Sequence, residues 1–223
     1  VASLIGIKQI HPFTGGGTIT ISGNTIYNLS NTSTTGNVVV IGIFQGRSAT
    51  TSNINRNFIY GLSVASSSSS AAIKGIVVGY SITATTATIN NNIINLGNAS
   101  ASPIIYGIYD MTIMSTLNLN LYFNSVYLSG SPTAGTGNSA AFWNTNNANT
   151  RNIRNNIFYN ARSNSGGTGK HYAIGLSGIG GSITINYNNY YTPGTGGIIG
   201  FLAADQTTLA NWQTATAQDA NSA

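Results

Sequence analysis

One seven-residue phrase recurs six times along this 223-residue chain and restricts what it can fold into. An aliphatic residue is followed three positions later by Asn and then by a second apolar stretch, as in Ile21-Ser22-Gly23-Asn24-Thr25-Ile26-Tyr27 and Ile54-Asn55-Arg56-Asn57-Phe58-Ile59-Tyr60. Later copies centre on Asn92, Asn124, Asn156 and Asn188, so successive Asn residues lie 33, 35, 32, 32 and 32 apart. A near-constant period of this size marks a solenoid or an array. A second marker travels with it, an apolar stretch built on Gly-Ile at Gly6, Gly42, Gly75 and Gly107, with weaker copies at Ala141 and Gly175.

Each period thus offers three short segments rich in Ile, Val, Tyr and Thr, none long enough for a helix. Polar loops separate the periods, among them Ser30–Asn37, Ser63–Ala72 and Ser129–Asn138, and the Ser66–Ser70 run in one of them reads as a flexible excursion. Three strands per turn with loops at constant corners predict a parallel β-helix of about six coils over residues 1–203. Stacked coils lie about 4.8 Å apart, so like residues form ladders. Asn suits the tight corner because it tolerates left-handed backbone angles, and its amide can bond to the Asn of the next coil. Ile21, Ile54, Ile89, Leu121, Ile153 and Ile185 are expected inside on one sheet. Ile26, Ile59, Ile94, Val126, Phe158 and Tyr190 are expected inside on the next. An antiparallel sandwich also has strands and turns, but it gives no reason for one residue type to return at one corner. After Tyr191 the pattern decays. Residues 204–223 read as a cap and linker toward a downstream region, with an N-capping Asp or Thr and a short helix whose Trp212 covers the last coil. The opening at Val1 reads as a strand already under way, in an excised or mature piece of a longer protein.

Composition narrows function mainly by exclusion. Charged residues make up 5%, against about 25% in ordinary soluble domains, so Ser, Thr, Asn and Gly must supply the surface. The net charge of +5 reflects only three acids, Asp110, Asp205 and Asp219, and the basic residues are scattered. A nucleic-acid footprint needs clustered cations, so none is expected. No apolar run approaches a membrane span. Without Cys there are no disulfides, thiolate metal sites or Cys nucleophiles. A charge-poor, Cys-free repeat fits a protein outside the cell.

The Gly-Ile strand, the Ile-x-x-Asn-x-Ile corner and the coil length resemble right-handed parallel β-helix repeats of the pectin-lyase-like superfamily. The tail, Leu209 to Gln213 and Gln218 to Ser222, is similar to segments that follow the helix in large secreted bacterial β-helix proteins. The resemblance implies fold more than function, because that superfamily holds lyases, hydrolases, tailspikes and adhesins. Its lyases bind calcium through several Asp residues, and its hydrolases use paired carboxylates. Here only Asp110 lies in the coil body, so neither catalytic residues nor a metal or other cofactor is expected.

The remaining candidates are weighed against plainer roles. Asp110 as a lone catalytic acid ranks below Asp110 as a loop cap. Lys170-His171 as base and neutraliser ranks below a solvated loop tip, and His11 beside Pro12 carries no signal. Two aromatic columns are more informative. Tyr27, Tyr60, Tyr127, Tyr159 and Tyr191 share one outward offset, with Asn95 in the remaining copy. Phe44, Tyr109 and Trp143 share another, two residues past the Gly-Ile marker. Both columns are candidate contacts for sugar rings, and for packing between coils. Ice binding ranks lower: Thr18-Ile19-Thr20 and Thr83–Thr88 supply Thr, but corresponding coils bring Asn, Arg or Leu. The expectation is a non-catalytic, adhesive or structural module of a secreted or bacterial surface protein. It would contact polysaccharide or cell-surface glycan and self-associate end to end through its first coil. The alternative is a fragment of a polysaccharide lyase or hydrolase.

Overall fold

The computed structural model describes residues 3–10, 17–46, 51–79, 85–97, 102–112 and 117–223. His11, Arg47 and Thr83 lie outside the described residues. The chain winds into a parallel β-solenoid, and each coil adds one strand to each of three sheets. The first sheet stacks Ser3–Gln9, Val39–Gln45, Ala72–Val78, Ile104–Asp110, Ser139–Asn144, His171–Leu176 and Gly197–Leu202 in parallel, and Ala204–Gln206 turns back antiparallel at its end. The second sheet runs from Thr18–Ser22 to Ile183–Asn186, and the third from Thr25–Tyr27 to Asn189–Tyr191, with six strands each.

The two aliphatic columns expected inside are inside, all fully or nearly buried from Ile21 to Ile185 and from Ile26 to Tyr190. Asn24, Asn57, Asn92, Asn124, Asn156 and Asn188 form one continuous ladder at the corner between the second and third sheets. The backbone N–H and Nδ2 of each Asn both donate to Oδ1 of the next, at 2.9–3.1 Å throughout. From Asn57 onward, each Nδ2 also donates to the carbonyl of the aliphatic residue one coil back, for example Asn124 to Ile89 at 2.9 Å. A buried amide whose donors and acceptor are all used costs little, whereas one left unpaired is expensive.

The backbone reason for the corner differs from the expectation. Left-handed geometry falls on the residue before the ladder Asn: Gly23, Arg56, Asn91, Phe123, Asn155 and Tyr187 have φ of 54–69°. The ladder Asn residues hold the corner by hydrogen bonding, and the strain sits one position earlier. The Gly-Ile marker also needs adjustment in the sixth coil. Register equates Gly75, Gly107 and Ala141 with Ala173, and Gly175 instead pairs with Trp143. A small residue is required at the marker because the strand bends there and brings the backbone against the third sheet. A Cβ on Gly42 or Gly75 would lie 2.8 Å from Ile59 or Ile94.

On the second sheet, Thr18, Thr51, Thr86, Asn118 and Thr150 fall in one outward column, and Thr20, Asn53, Thr88, Asn120, Asn152 and Thr184 in the next. The inward column between them contains Leu119 and Arg151, both buried. The Ser66–Ser70 run is laid against the preceding loop: Ser66 Oγ donates to the Gly36 carbonyl at 2.7 Å and Ser68 Oγ to Asn37 Oδ1 at 2.7 Å.

At the C-terminal end the helix Leu209–Thr216 is capped by Thr208, whose side chain accepts from the Asn211 N–H. Trp212 is fully buried against Gly200. Asp219 accepts from Trp212 Nε1 at 2.6 Å and Tyr190 Oη at 2.8 Å, and it is also bonded to Ser222. Asn188, last in the ladder, donates from its N–H to Ser222 Oγ and from Nδ2 to Asp219 Oδ1. The tail therefore supplies the acceptors that a seventh Asn would have supplied.

Candidate aromatic binding face

The bend at the Gly-Ile marker sets which side chains of the first sheet face out. Two successive residues there point inward, so alternation reverses across the bend. One outward column, before the bend, holds Ile41, Lys74, Tyr106, Ala140, Tyr172 and Ile198. The other, after it, holds Phe44, Val77, Tyr109, Trp143, Gly175 and Phe201. The Phe44, Tyr109 and Trp143 offset is thus outward, but Val77 separates Phe44 from the other two.

Tyr109 and Trp143 belong to a larger cluster. Tyr106 stacks on Tyr109 with ring centroids 4.7 Å apart and on Trp143 at 6.0 Å. Trp143 stacks on Phe201 at 5.5 Å and meets Tyr172 at 5.5 Å. Gly175 makes this possible, since a Cβ there would lie 2.1 Å from Cε3 of the indole. Tyr106, Tyr109, Trp143 and Phe201 remain partly exposed, while Tyr172 is buried beneath them. Sequence reading missed Tyr106 and Tyr172 because the reversal at the bend joins two columns that strict alternation would put on opposite faces, and Phe201 because register puts Ile199, not the neighbouring Gly200, at the marker position.

Charged groups frame the cluster. Lys74 Nζ sits 4.2 Å from the Tyr109 ring centroid, close enough for a cation–π contact, and burial lowers its pKa. Burial pushes the Tyr106 hydroxyl up to about 12, with Tyr109 adding to the effect. On the other side Asp205 accepts from Lys170 Nζ at 2.5 Å and from Tyr172 Oη at 3.0 Å. Desolvation raises the Tyr172 pKa, and the bond to Asp205 raises it further.

The candidates for chemistry are held elsewhere. Asp110 is buried; its Oδ1 accepts from the backbone and hydroxyl of Thr112 and its Oδ2 from Asn144 at 2.6 Å and Asn149 at 3.2 Å. Desolvation raises its pKa against the pull of these bonds. It caps the loop, as expected of a turn Asp, and joins a buried network in which Arg151 bonds Asn144 and the Gly178 and Gly180 carbonyls. Nothing in the local sequence marks Arg151 as buried. Lys170 and His171 diverge: Lys170 points out to Asp205, and His171 points into the core between Ser139 and Asn164. Burial, reinforced by the nearby Arg162, takes the His171 pKa down to about 4. No group of His, Cys, Asp and Glu suited to a metal ion occurs among the described residues.

The Tyr column faces out from the third sheet, but Asn95 breaks it into two blocks. Tyr27 and Tyr60 stack at 5.3 Å, while Tyr127, Tyr159 and Tyr191 meet edge to face at 5.0 and 4.9 Å. Beside the gap, Phe58, Ile93, Ile157, Tyr127 and Tyr159 line a shallow apolar groove of about 280 Å³.

No protein-family model, curated protein or solved structure matches the chain.

Proposed function

We propose that this chain is a non-catalytic module of a larger secreted or surface protein, and that it binds glycan on the outer face of its first sheet. The observation that carries this reading is the partly exposed cluster of Tyr106, Tyr109, Trp143 and Phe201 on a rigid parallel sheet. Aromatic faces and edges take the apolar faces of sugar rings, and Tyr hydroxyls and an indole N–H supply polar contacts. The Tyr blocks of the third sheet form a second, more dispersed surface of the same kind. The placement of the three carboxylates supports a role without turnover: Asp110 and Asp219 are buried and hydrogen-bonded, and Asp205 is paired with Lys170. Coils of three sheets with an Asn ladder are what membership of the pectin-lyase-like superfamily would require. The near absence of charge is the argument for an extracellular setting.

Glycan-array binding by the full chain, repeated with Trp143→Ala, tests the proposal. Binding that disappears in the folded variant supports it. Binding unchanged in that variant, or no binding by the parent chain, sinks it. Unsaturated product released from polyuronates, read by absorbance, would instead show an enzyme.

A further inference from the structure

The second sheet presents a surface of a different chemistry. Its two regular outward columns contain only Thr and Asn, all at least partly exposed, with neither a charge nor an aromatic ring among them. The Leu and Arg that make the sequence look irregular here, Leu119 and Arg151, occupy the inward column. With the slots assigned by register, the coils read Thr-x-Thr, Thr-x-Asn, Thr-x-Thr, Asn-x-Asn and Thr-x-Asn from Thr18 to Asn152.

We infer that this face binds the surface of ice. The array repeats in two directions, by about 4.8 Å between coils and about 6.6 Å between alternate residues of a strand. Oxygen atoms in an ice lattice repeat at comparable distances along two directions of a crystal face. A single hydroxyl gains little by exchanging liquid water for ice. A face must therefore engage many lattice sites together, and that requires side chains ordered in advance. Three at the centre are ordered here: Asn152 Nδ2 donates to Asn120 Oδ1 at 2.9 Å, and Asn120 Nδ2 to Thr88 Oγ1 at 3.4 Å. Tyr122, at the margin, lies toward the array and donates to Asn120 Oδ1 at 3.2 Å. Sugar rings would find no aromatic partner in the two columns, which separates this face from the first sheet. Liquid water solvates charges strongly, so the two neutral columns give up their hydration more readily than the next outward column, where Arg154 stands beside Tyr122.

The test is partition of the full chain into a slowly growing ice front, with Thr88→Tyr and Asn120→Tyr at the centre of the array. Thr20→Lys, on the exposed first coil, is a further variant that leaves buried contacts intact. Thr25→Lys on the third sheet is the control. Enrichment of the parent and control in ice, lost in the array variants at matched circular dichroism and melting, is the expected result. Exclusion of the folded parent from ice overturns the inference, as does unchanged partition of Thr20→Lys. Capture of the parent by crystalline cellulose or chitin without ice partition also overturns it and assigns the face to polysaccharide.

Discussion

Truncating Asn124 to Ala isolates the contribution of the ladder. The side chain is fully buried and makes five hydrogen bonds. Its Oδ1 is the acceptor for the Asn92 N–H and Nδ2, and its Nδ2 reaches the Asn156 Oδ1 and the Ile89 and Tyr122 carbonyls. After truncation the Asn92 N–H has no acceptor and the Ile89 carbonyl loses this donor, while Asn92 Nδ2 keeps the Ile54 and Asn90 carbonyls. Asn156 Oδ1 loses its contact to Asn124 Nδ2 but keeps the backbone N–H of residue 124. The stranded Asn92 N–H at about 1–3 kcal/mol, with about 0.5–1.5 kcal/mol for the bond lost from the Ile89 carbonyl, which stays in the sheet ladder, gives a loss of about 1.5–4.5 kcal/mol. Asn24→Ala is the internal comparison. Asn24 is only partly buried, and Asn57 Oδ1 keeps the backbone N–H of residue 24 after truncation, so about 1 kcal/mol is expected. Equilibrium urea unfolding, followed by far-ultraviolet circular dichroism and tryptophan fluorescence, measures both. Equal losses at the two positions, or a loss under about 1 kcal/mol for Asn124→Ala, would refute the reasoning.

Other consequences follow from the corners, the cap, the core histidine and the first strand. Phe123, exposed and left-handed at φ 54°, should become more favourable as Gly, so Phe123→Gly is expected to stabilise by up to about 1 kcal/mol in the same assay. Trp212→Ala should cost about 3–5 kcal/mol by opening the last coil, and a smaller loss would mean that the helix is not a cap. His171 is held neutral, with its pKa depressed from 6.5 to about 4. Its contribution is therefore complete above about pH 6.5 and is lost as pH falls toward 4, when the unfolded chain takes up the proton first. The stability difference between the parent and His171→Asn should shrink over that window, since Asp110 titrates in both; a constant difference contradicts the assignment. End-to-end association through Ser3–Gln9, which pairs on one side only among the described residues, should make sedimentation of this chain depend on concentration, and a strict monomer counts against it.

The architecture was legible because a solenoid writes each column as a period. Six Asn residues and two aliphatic columns could be assigned before any coordinates. What was not legible depended on events inside a strand. The bend at Gly42, Gly75 and Gly107 reverses alternation, so Tyr106 and Trp143 share a face that no simple period predicts. Gly175 resembles the marker in its local sequence, yet it serves to seat Trp143, and only register separates the two roles. Arg151 and Leu119 looked like interruptions of a Thr array because inward and outward positions could not be told apart. The ligands proposed for the two faces were not legible because the surfaces that would hold them appear only once register assigns each residue a face.

The most direct check on the central claim, that register places each residue column on a fixed face, is a nuclear Overhauser measurement on the side-chain amides. Contacts running in order from Asn57 through Asn92, Asn124 and Asn156 to Asn188, with slow amide exchange, are predicted. Side-chain amides that exchange freely and show no contact from one coil to the next would contradict the fold and, with it, both proposed binding faces.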